Sequence, residues 1–131
     1  MSAQVLDRNT QDLVIHLGTQ AASVLLPGSV LSRRARIKQV SLVNGANVAA
    51  SDTNYLQISL KNGSNVIAEL DTRAAHENGL ALNTKEALNL VEAYLEQAKD
   101  AVLTVDIVAG GTVTTTNAKL VVQLSPIGSA D

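Results

Sequence analysis

Several residue types that often anchor a protein core or a reactive site are missing from this chain of 131 residues. It contains no cysteine, no phenylalanine and no tryptophan, and its two aromatic residues are Tyr55 and Tyr94. The absence of cysteine excludes disulfides, thiolate metal sites and thiol nucleophiles from the chain. With so few aromatic rings, the core must consist of Val, Leu, Ile and Ala, which suit a thin, closely packed β-sandwich.

Strong charge and long apolar runs are also absent. The formal net charge is -2, so we expect no bulk attraction to nucleic acid or to anionic lipid. The apolar stretches are far shorter than the roughly 20 residues that span a bilayer. The segment Met1–Gln4 lacks a basic region followed by an apolar block, so we expect no signal peptide and synthesis in the cytoplasm.

Short runs that alternate apolar and polar residues recur along most of the chain, between Gly, Asn, Asp and Ser turns. The clearest runs are 56–60, 103–107 and 120–124. A period of two places one set of side chains on a core face and the other on the opposite face of a sheet. The pattern predicts an all-β fold: a single-domain antiparallel β-sandwich, jelly-roll-like, with about eight strands. This domain would cover residues 11–127, between a polar N-terminal arm (1–10) and a C-terminal tail (128–131).

Turn residues divide the predicted strands. Asn62-Gly63 between the runs 54–61 and 65–70 predicts a tight hairpin, because Asn-Gly readily adopts positive φ. Pro27-Gly28 predicts a turn that ends a short strand, and residues 112–116 are rich in β-forming threonine. We therefore expect a turn at Pro27-Gly28 and a short strand at 112–116.

Residues 81–98 fit two interpretations. Leu88, Val91 and Leu95 have helical spacing, and Glu92, Glu96 and Lys99 would then line a solvent face. The alternative is a strand at 86–91 followed by a loop in which Leu95 fills the edge of the core. We favour strand and loop because the surrounding sequence is β throughout.

Few residues carry reactive chemistry. His16 lies on the face opposite the apolar side of the first strand, which indicates a surface or intersubunit position. Asp71, His76 and Glu77 are of types that ligate divalent metals, although a solvated loop is the plainer interpretation. No His-x-His pair, Gly-x-Ser-x-Gly elbow or phosphate-binding glycine loop is present. We expect no catalysis, no cofactor and no small-molecule substrate.

The one concentration of charge is basic, and it lies in the predicted third strand. Its members are Arg33, Arg34, Arg36 and Lys38. These residues suit phosphate or an acidic protein surface, and no aromatic stacking partner for single-stranded nucleic acid lies near them. The plainer interpretation is a solvated strand edge protected by charge. They are the candidate partner-binding residues of this chain.

The chain resembles tailed-bacteriophage capsid decoration (cement) proteins, which are small, cysteine-free and rich in Ala, Thr, Asn and Val. Five segments carry the resemblance: Val43-Asn44-Gly45, the run from Ala49 to Tyr55, the run from Ile58 to Gly63, the run from Ala68 to Arg73, and the strand from Leu103 to Ile107.

This resemblance implies a jelly roll that binds the major capsid protein on the outside of an assembled shell, commonly as a homotrimer, and stabilises the virion without catalysis. The same composition and segments are compatible with a jelly-roll module of a phage tail or fibre that recognises a receptor or glycan.

Overall fold

The computed structural model describes residues 11–73 and 79–127, and its regular secondary structure is almost entirely β-strand. The strands are β1 (Gln11–Gly18), β2 (Val24–Val30), β3 (Ala35–Val43), β4 (Leu56–Asn62), β5 (Asn65–Asp71), β6 (Glu86–Ala87), β7 (Asn89–Leu90), β8 (Glu96–Gln97), β9 (Val102–Ala109) and β10 (Ala118–Pro126). Within these ranges the one helical element is a single 3₁₀ turn at Glu92–Tyr94. No helix of the described residues is long and apolar enough to cross a bilayer. The predicted N-terminal arm and C-terminal tail lie outside the described residues.

The strands form two antiparallel sheets packed together as a sandwich. The first sheet has the order β1-β10-β3-β6, with β8 also paired to β3, and the second has the order β2-β9-β4-β5-β7. Antiparallel pairs therefore join β1 to β10, β2 to β9, β3 to β6 and β8, and β4 to β5. The first strand thus pairs with the last, the second with the next to last, and so on inward to the β4–β5 hairpin. One long hairpin rolled into two sheets has this topology, which is a jelly roll. The predicted fold class is confirmed, with ten strands at nine positions, because β6 and β8 share one position beside β3.

The core lies between the sheets and is aliphatic, as the composition predicted. Its inward residues follow the period of two seen in the sequence, most completely in β10, where Ala118, Leu120, Val122 and Leu124 are buried. Leu56, Ile58 and Leu60 are fully buried, and so are Leu103, Val105 and Ile107. His16 is exposed between buried Ile15 and Leu17, which confirms its predicted place on the outer face of β1.

The predicted turn at Pro27-Gly28 is wrong, because both residues lie inside β2. β2 is the edge strand of its sheet, where a missing N–H costs little, and the pairing with β9 shifts between Pro27 and Ser29. Gly28 is required there because a Cβ would lie 2.5 Å from the carbonyl oxygen of Leu103. The Pro-Gly pair therefore produces a bulge in an edge strand rather than a turn.

The β4–β5 hairpin is confirmed, with a shift of one residue in its turn. Asn62 pairs with Asn65, so Gly63 and Ser64 are the two central residues, and Gly63 has φ 61°. Glycine at the first central position fits a type II′ turn. The predicted strand at 112–116 is wrong: the segment passes irregularly across the end of the sandwich, and the backbone of Thr115 bonds to Gln20 rather than to a strand.

Residues 81–98 form strand and loop, as favoured above, but the strand is divided. β6 and β8 pair with β3 in one sheet, while β7 between them pairs with β5 in the other. Leu88 and Leu95 are both buried in the core, at the side of the sandwich where the chain passes from one sheet to the other. The helix-like spacing therefore reflects a segment that contributes to both sheets in turn.

Candidate partner-binding surface

The four candidate basic residues lie at and near the start of β3. Arg33 and Arg34 precede the strand in the β2–β3 connection, so the predicted strand begins two residues later than expected, at Ala35. The interpretation of this segment as a strand edge is wrong, because β3 lies between β10 and the β6/β8 position. Lys38 is exposed at a bulge, where the pairing passes from Ile37 to Gln39 and leaves it without a partner in β10.

Two of these cations are paired with glutamates of the divided strand. Glu96 lies opposite Arg36 in the β3–β8 pair, and its carboxylate is 3.5 Å from Arg36 and 3.3 Å from Arg34. Glu92 adds a longer contact of 3.7 Å to Arg36. All of these pairs are substantially exposed to solvent, so each adds little stability. Their main effect is to reduce the local positive charge of Arg34 and Arg36.

Arg33 and Arg34 line an open cavity of about 260 Å³, together with Ser32, Lys99 and Ile127. We call the site lined by these five residues the cation cavity. Lys99 comes from the β8–β9 connection, which is held against the β2–β3 connection by the bond from Asp100 N–H to the carbonyl oxygen of Leu31, 2.8 Å long. Sequence reasoning did not include Lys99, and no local signal connects it with residues 65 or more positions away.

Aliphatic side chains are exposed beside the cation cavity. Val30, at the end of β2, is 58% exposed, and its cross-strand partner Val102, at the start of β9, is 54% exposed. Leu25 on the same edge strand is 61% exposed. Edge strands of stable monomers are commonly protected by charged residues, by proline or by bulges. β2 has no charged residue, and Pro27 with its bulge interrupts the pairing edge between Leu25 and Val30. The two exposed side chains are therefore separate apolar sites on this edge, and Val30 is the one near the basic cavity.

The opposite end of the sandwich, here called the loop end, consists of residues 19–23, 44–55 and 110–117. Asp71 is buried beside it and accepts hydrogen bonds from the side chain and the backbone N–H of Arg73. This hydrogen bonding, and then the charge of Asp71, raise the pKa of Arg73. The guanidinium lies 5.3 Å from the ring centre of Tyr55, so the group joins β5 to the start of β4.

A shallow cleft of about 420 Å³ opens at the loop end between the β3–β4 and β9–β10 connections. Its lining residues are Asn47, Val48, Ala49, Ser51, Asn54, Thr112 and Val113. Several of its polar groups already serve the fold. Asn54 Oδ1 accepts the backbone N–H of Thr112, and Asn47 Oδ1 accepts that of Leu82. The cleft therefore presents amide and hydroxyl groups without a charged side chain in its lining.

The metal-site hypothesis finds no structural support in the part of the chain that can be described. Asp71 is engaged by Arg73, while His76 and Glu77 lie outside the described residues. Within 11–73 and 79–127 there is no cluster of three or more His, Cys, Asp or Glu side chains that could hold a metal ion.

Comparison with known proteins adds no relative. No protein-family model matches the chain, and no curated protein matches its sequence.

Proposed function

We propose that the protein is a structural protein of a phage particle that binds the outside of the assembled capsid and stabilises it. The observation that carries this proposal is the basic end of a rigid jelly roll. Arg33, Arg34 and Lys99 surround one cavity, next to the exposed aliphatic pair Val30 and Val102. Such a surface combines charge for orientation with apolar area for affinity, and both are features of protein interfaces.

The scaffold suits this role because attachment needs geometry rather than chemistry. The cation cavity is carried on two short connections that are tied together by backbone hydrogen bonds between Leu31 and residues 100–101. A rigid presenting surface loses little conformational entropy on binding. On a shell, each modest contact is repeated many times, and a homotrimer would engage several sites at once.

The first experiment locates the protein on particles. Phage particles that contain the chain are labelled with an antibody against it and imaged. Label spread over the head supports the proposal, whereas label confined to the tail tip contradicts it and supports a tail or fibre module.

The second experiment measures reattachment to particles stripped of the protein, over a series of salt concentrations. Replacing Arg33 and Arg34 by Ser is expected to slow attachment and to flatten its salt dependence, since rim charges act mainly on the association rate. The matched control replaces Lys85 and Lys119 by Ser. Both are exposed and lie at the far end of β3, because Glu86 pairs with Leu42 and Lys119 with Val43. Equal effects in the two variants would contradict attachment through the basic end.

The cleft at the loop end favours one alternative function, a receptor- or glycan-binding module of a tail or fibre. Asn47, Ser51, Asn54 and Thr112 supply the neutral hydrogen-bonding groups that a sugar needs. The cleft has no aromatic platform in its lining, so it suits this role less well than the basic end suits attachment. Glycan-array binding that is lost on Asn54→Ala would favour the alternative.

A further inference from the structure

The cation cavity brings together positive charge from two distant parts of the chain. Arg33 and Arg34 come from the β2–β3 connection and Lys99 from the β8–β9 connection. Like charges that gather in one concave site repel each other, and an anion in the site relieves that repulsion. The cavity of about 260 Å³ is large enough for one or two carboxylate-bearing side chains.

The described residues neutralise this charge only in part. Glu96 contacts Arg34 at 3.3 Å from outside the cavity lining, and that lining contains no carboxylate. Arg33 and Lys99 form no ion pair with any residue in 11–73 or 79–127. Among the described residues these two cations therefore have no carboxylate partner, and a guanidinium can bind a carboxylate through two parallel hydrogen bonds.

The surroundings favour a peptide over an inorganic or nucleic-acid phosphate. Ile127 forms part of the cavity wall, and Val30 and Val102 are exposed within three residues of Ser32 and Lys99 along the chain. Aliphatic area of this kind has no partner on a phosphate group, but it does on the side chains of a peptide. The cavity lining has no aromatic ring on which a base could stack.

From this charge complementarity we propose that the cation cavity binds an acidic segment of a protein partner, with Glu or Asp carboxylates at Arg33 and Lys99 and a neighbouring aliphatic side chain on Val30 and Val102. The inference rests on the proposed function, because the acidic segment would belong to the capsid surface that the basic end contacts. It predicts an exposed segment in which acidic and aliphatic residues are mixed.

The test uses the full-length protein and a fluorescent acetylated peptide with the sequence Glu-Glu-Leu-Glu-Glu-Leu. Fluorescence anisotropy at about 0.1 M salt is expected to show saturable binding at one site per chain. The variant with both Arg33→Gln and Lys99→Gln is expected to weaken that binding by about tenfold or more, because it removes both unpaired cations. Since Arg33 and Lys99 are exposed, the variant should unfold at the wild-type temperature.

A matched control carries Lys85→Gln and Lys119→Gln, which remove the same charge at the far end of β3, roughly 26 Å away at about 3.3 Å per residue. This control is expected to bind the peptide within about twofold of wild type, because the Debye length is about 10 Å at about 0.1 M salt and charges at that distance are largely screened. A second control peptide, Glu-Glu-Ser-Glu-Glu-Ser, keeps the charge and removes the aliphatic contacts. It is expected to bind more weakly than the leucine peptide.

Three outcomes would overturn the inference: no saturable binding of the leucine peptide, equal loss of binding in the two charge variants, or binding of tripolyphosphate at the cation cavity without binding of the peptide. The last would assign the cavity to phosphate groups. Stripped particles separate this inference from the proposed function. Attachment that persists in the Arg33→Gln, Lys99→Gln variant would contradict the inference alone, whereas peptide binding without any attachment of the wild type to particles would contradict the proposed function alone.

Discussion

Two buried hydroxyl groups show how differently single residues can contribute to this fold. Thr72 Oγ1 accepts the backbone N–H of Leu56 at 2.8 Å, whereas Ser41 Oγ is buried without a hydrogen-bond partner among the described residues. We expect Thr72→Val to lower the free energy of unfolding by about 1–3 kcal/mol, since it leaves a buried N–H unsatisfied. Ser41→Ala is expected to be neutral or stabilising. Urea unfolding of both variants tests this pair, and a larger loss for Ser41→Ala would contradict it.

The turn of the β4–β5 hairpin depends on one glycine. Gly63 has φ 61°, a conformation that a β-branched residue adopts only with strain, while Ser64 beside it has no positive φ. Gly63→Val is expected to cost more than about 1 kcal/mol of stability. Ser64→Val is the matched control, because both positions are exposed, and it should cost clearly less. Thermal melting decides, and equal midpoints for the two variants would mean that the turn has a different geometry.

The divided strand at 86–97 is the element whose stability depends most on a few side chains. It has only two-residue pairings, and it is held by Leu88 and Leu95 in the core, by the bond from Ile37 N–H to the carbonyl oxygen of Leu95, and by Gln97. The buried amide of Gln97 donates to the carbonyl oxygen of Tyr94 and accepts from Asn62 at the hairpin. This element therefore covers the side of the sandwich between β3 of one sheet and β5 of the other.

We expect Leu95→Ala to destabilise the protein by about 2–5 kcal/mol, as is typical of a buried leucine. The neighbouring Tyr94→Ala is the control and should cost less than Leu95→Ala, since Tyr94 is 38% exposed whereas Leu95 is buried. Chemical unfolding measures both changes. Hydrogen exchange of the Leu88 amide, which bonds to Val40, should also accelerate in Leu95→Ala. Small and equal effects would show that this segment adds little to the sandwich.

On the scale of the whole molecule, we predict self-association, with a trimer as the expected state. Leu25, on the edge strand β2 and away from the cation cavity, is 61% exposed and offers apolar area for contact with another chain. Light scattering at micromolar concentration should give about three times the 13.7 kDa of the chain. Leu25→Lys is expected to reduce that mass. A monomer at every concentration, both free and on its partner, would contradict the prediction.

The class of fold could be predicted from the sequence because a strand's alternation of inward and outward residues is a local property. The runs at 56–60 and 103–107 therefore appear as buried faces in the structure. The prediction failed where a local signal has two structural outcomes. Pro27-Gly28 is compatible with a turn or with a bulged edge strand, and only the position of β2 at the edge of its sheet selects the bulge.

In the candidate surface, too, local sequence predicts some features and only the fold decides the others. Local sequence identified Arg33, Arg34, Arg36 and Lys38 as one basic cluster, because they are neighbours along the chain. The fold then gives these residues different partners. β8 brings Glu96 to Arg34 and Arg36, and the β8–β9 connection brings Lys99 to the cavity with Arg33. Charge pairing acts over a few ångströms in space, whereas a sequence pattern reports distance along the chain. For that reason the strands could be predicted from the sequence, while the cavity appears only where the β2–β3 and β8–β9 connections lie side by side in the folded chain.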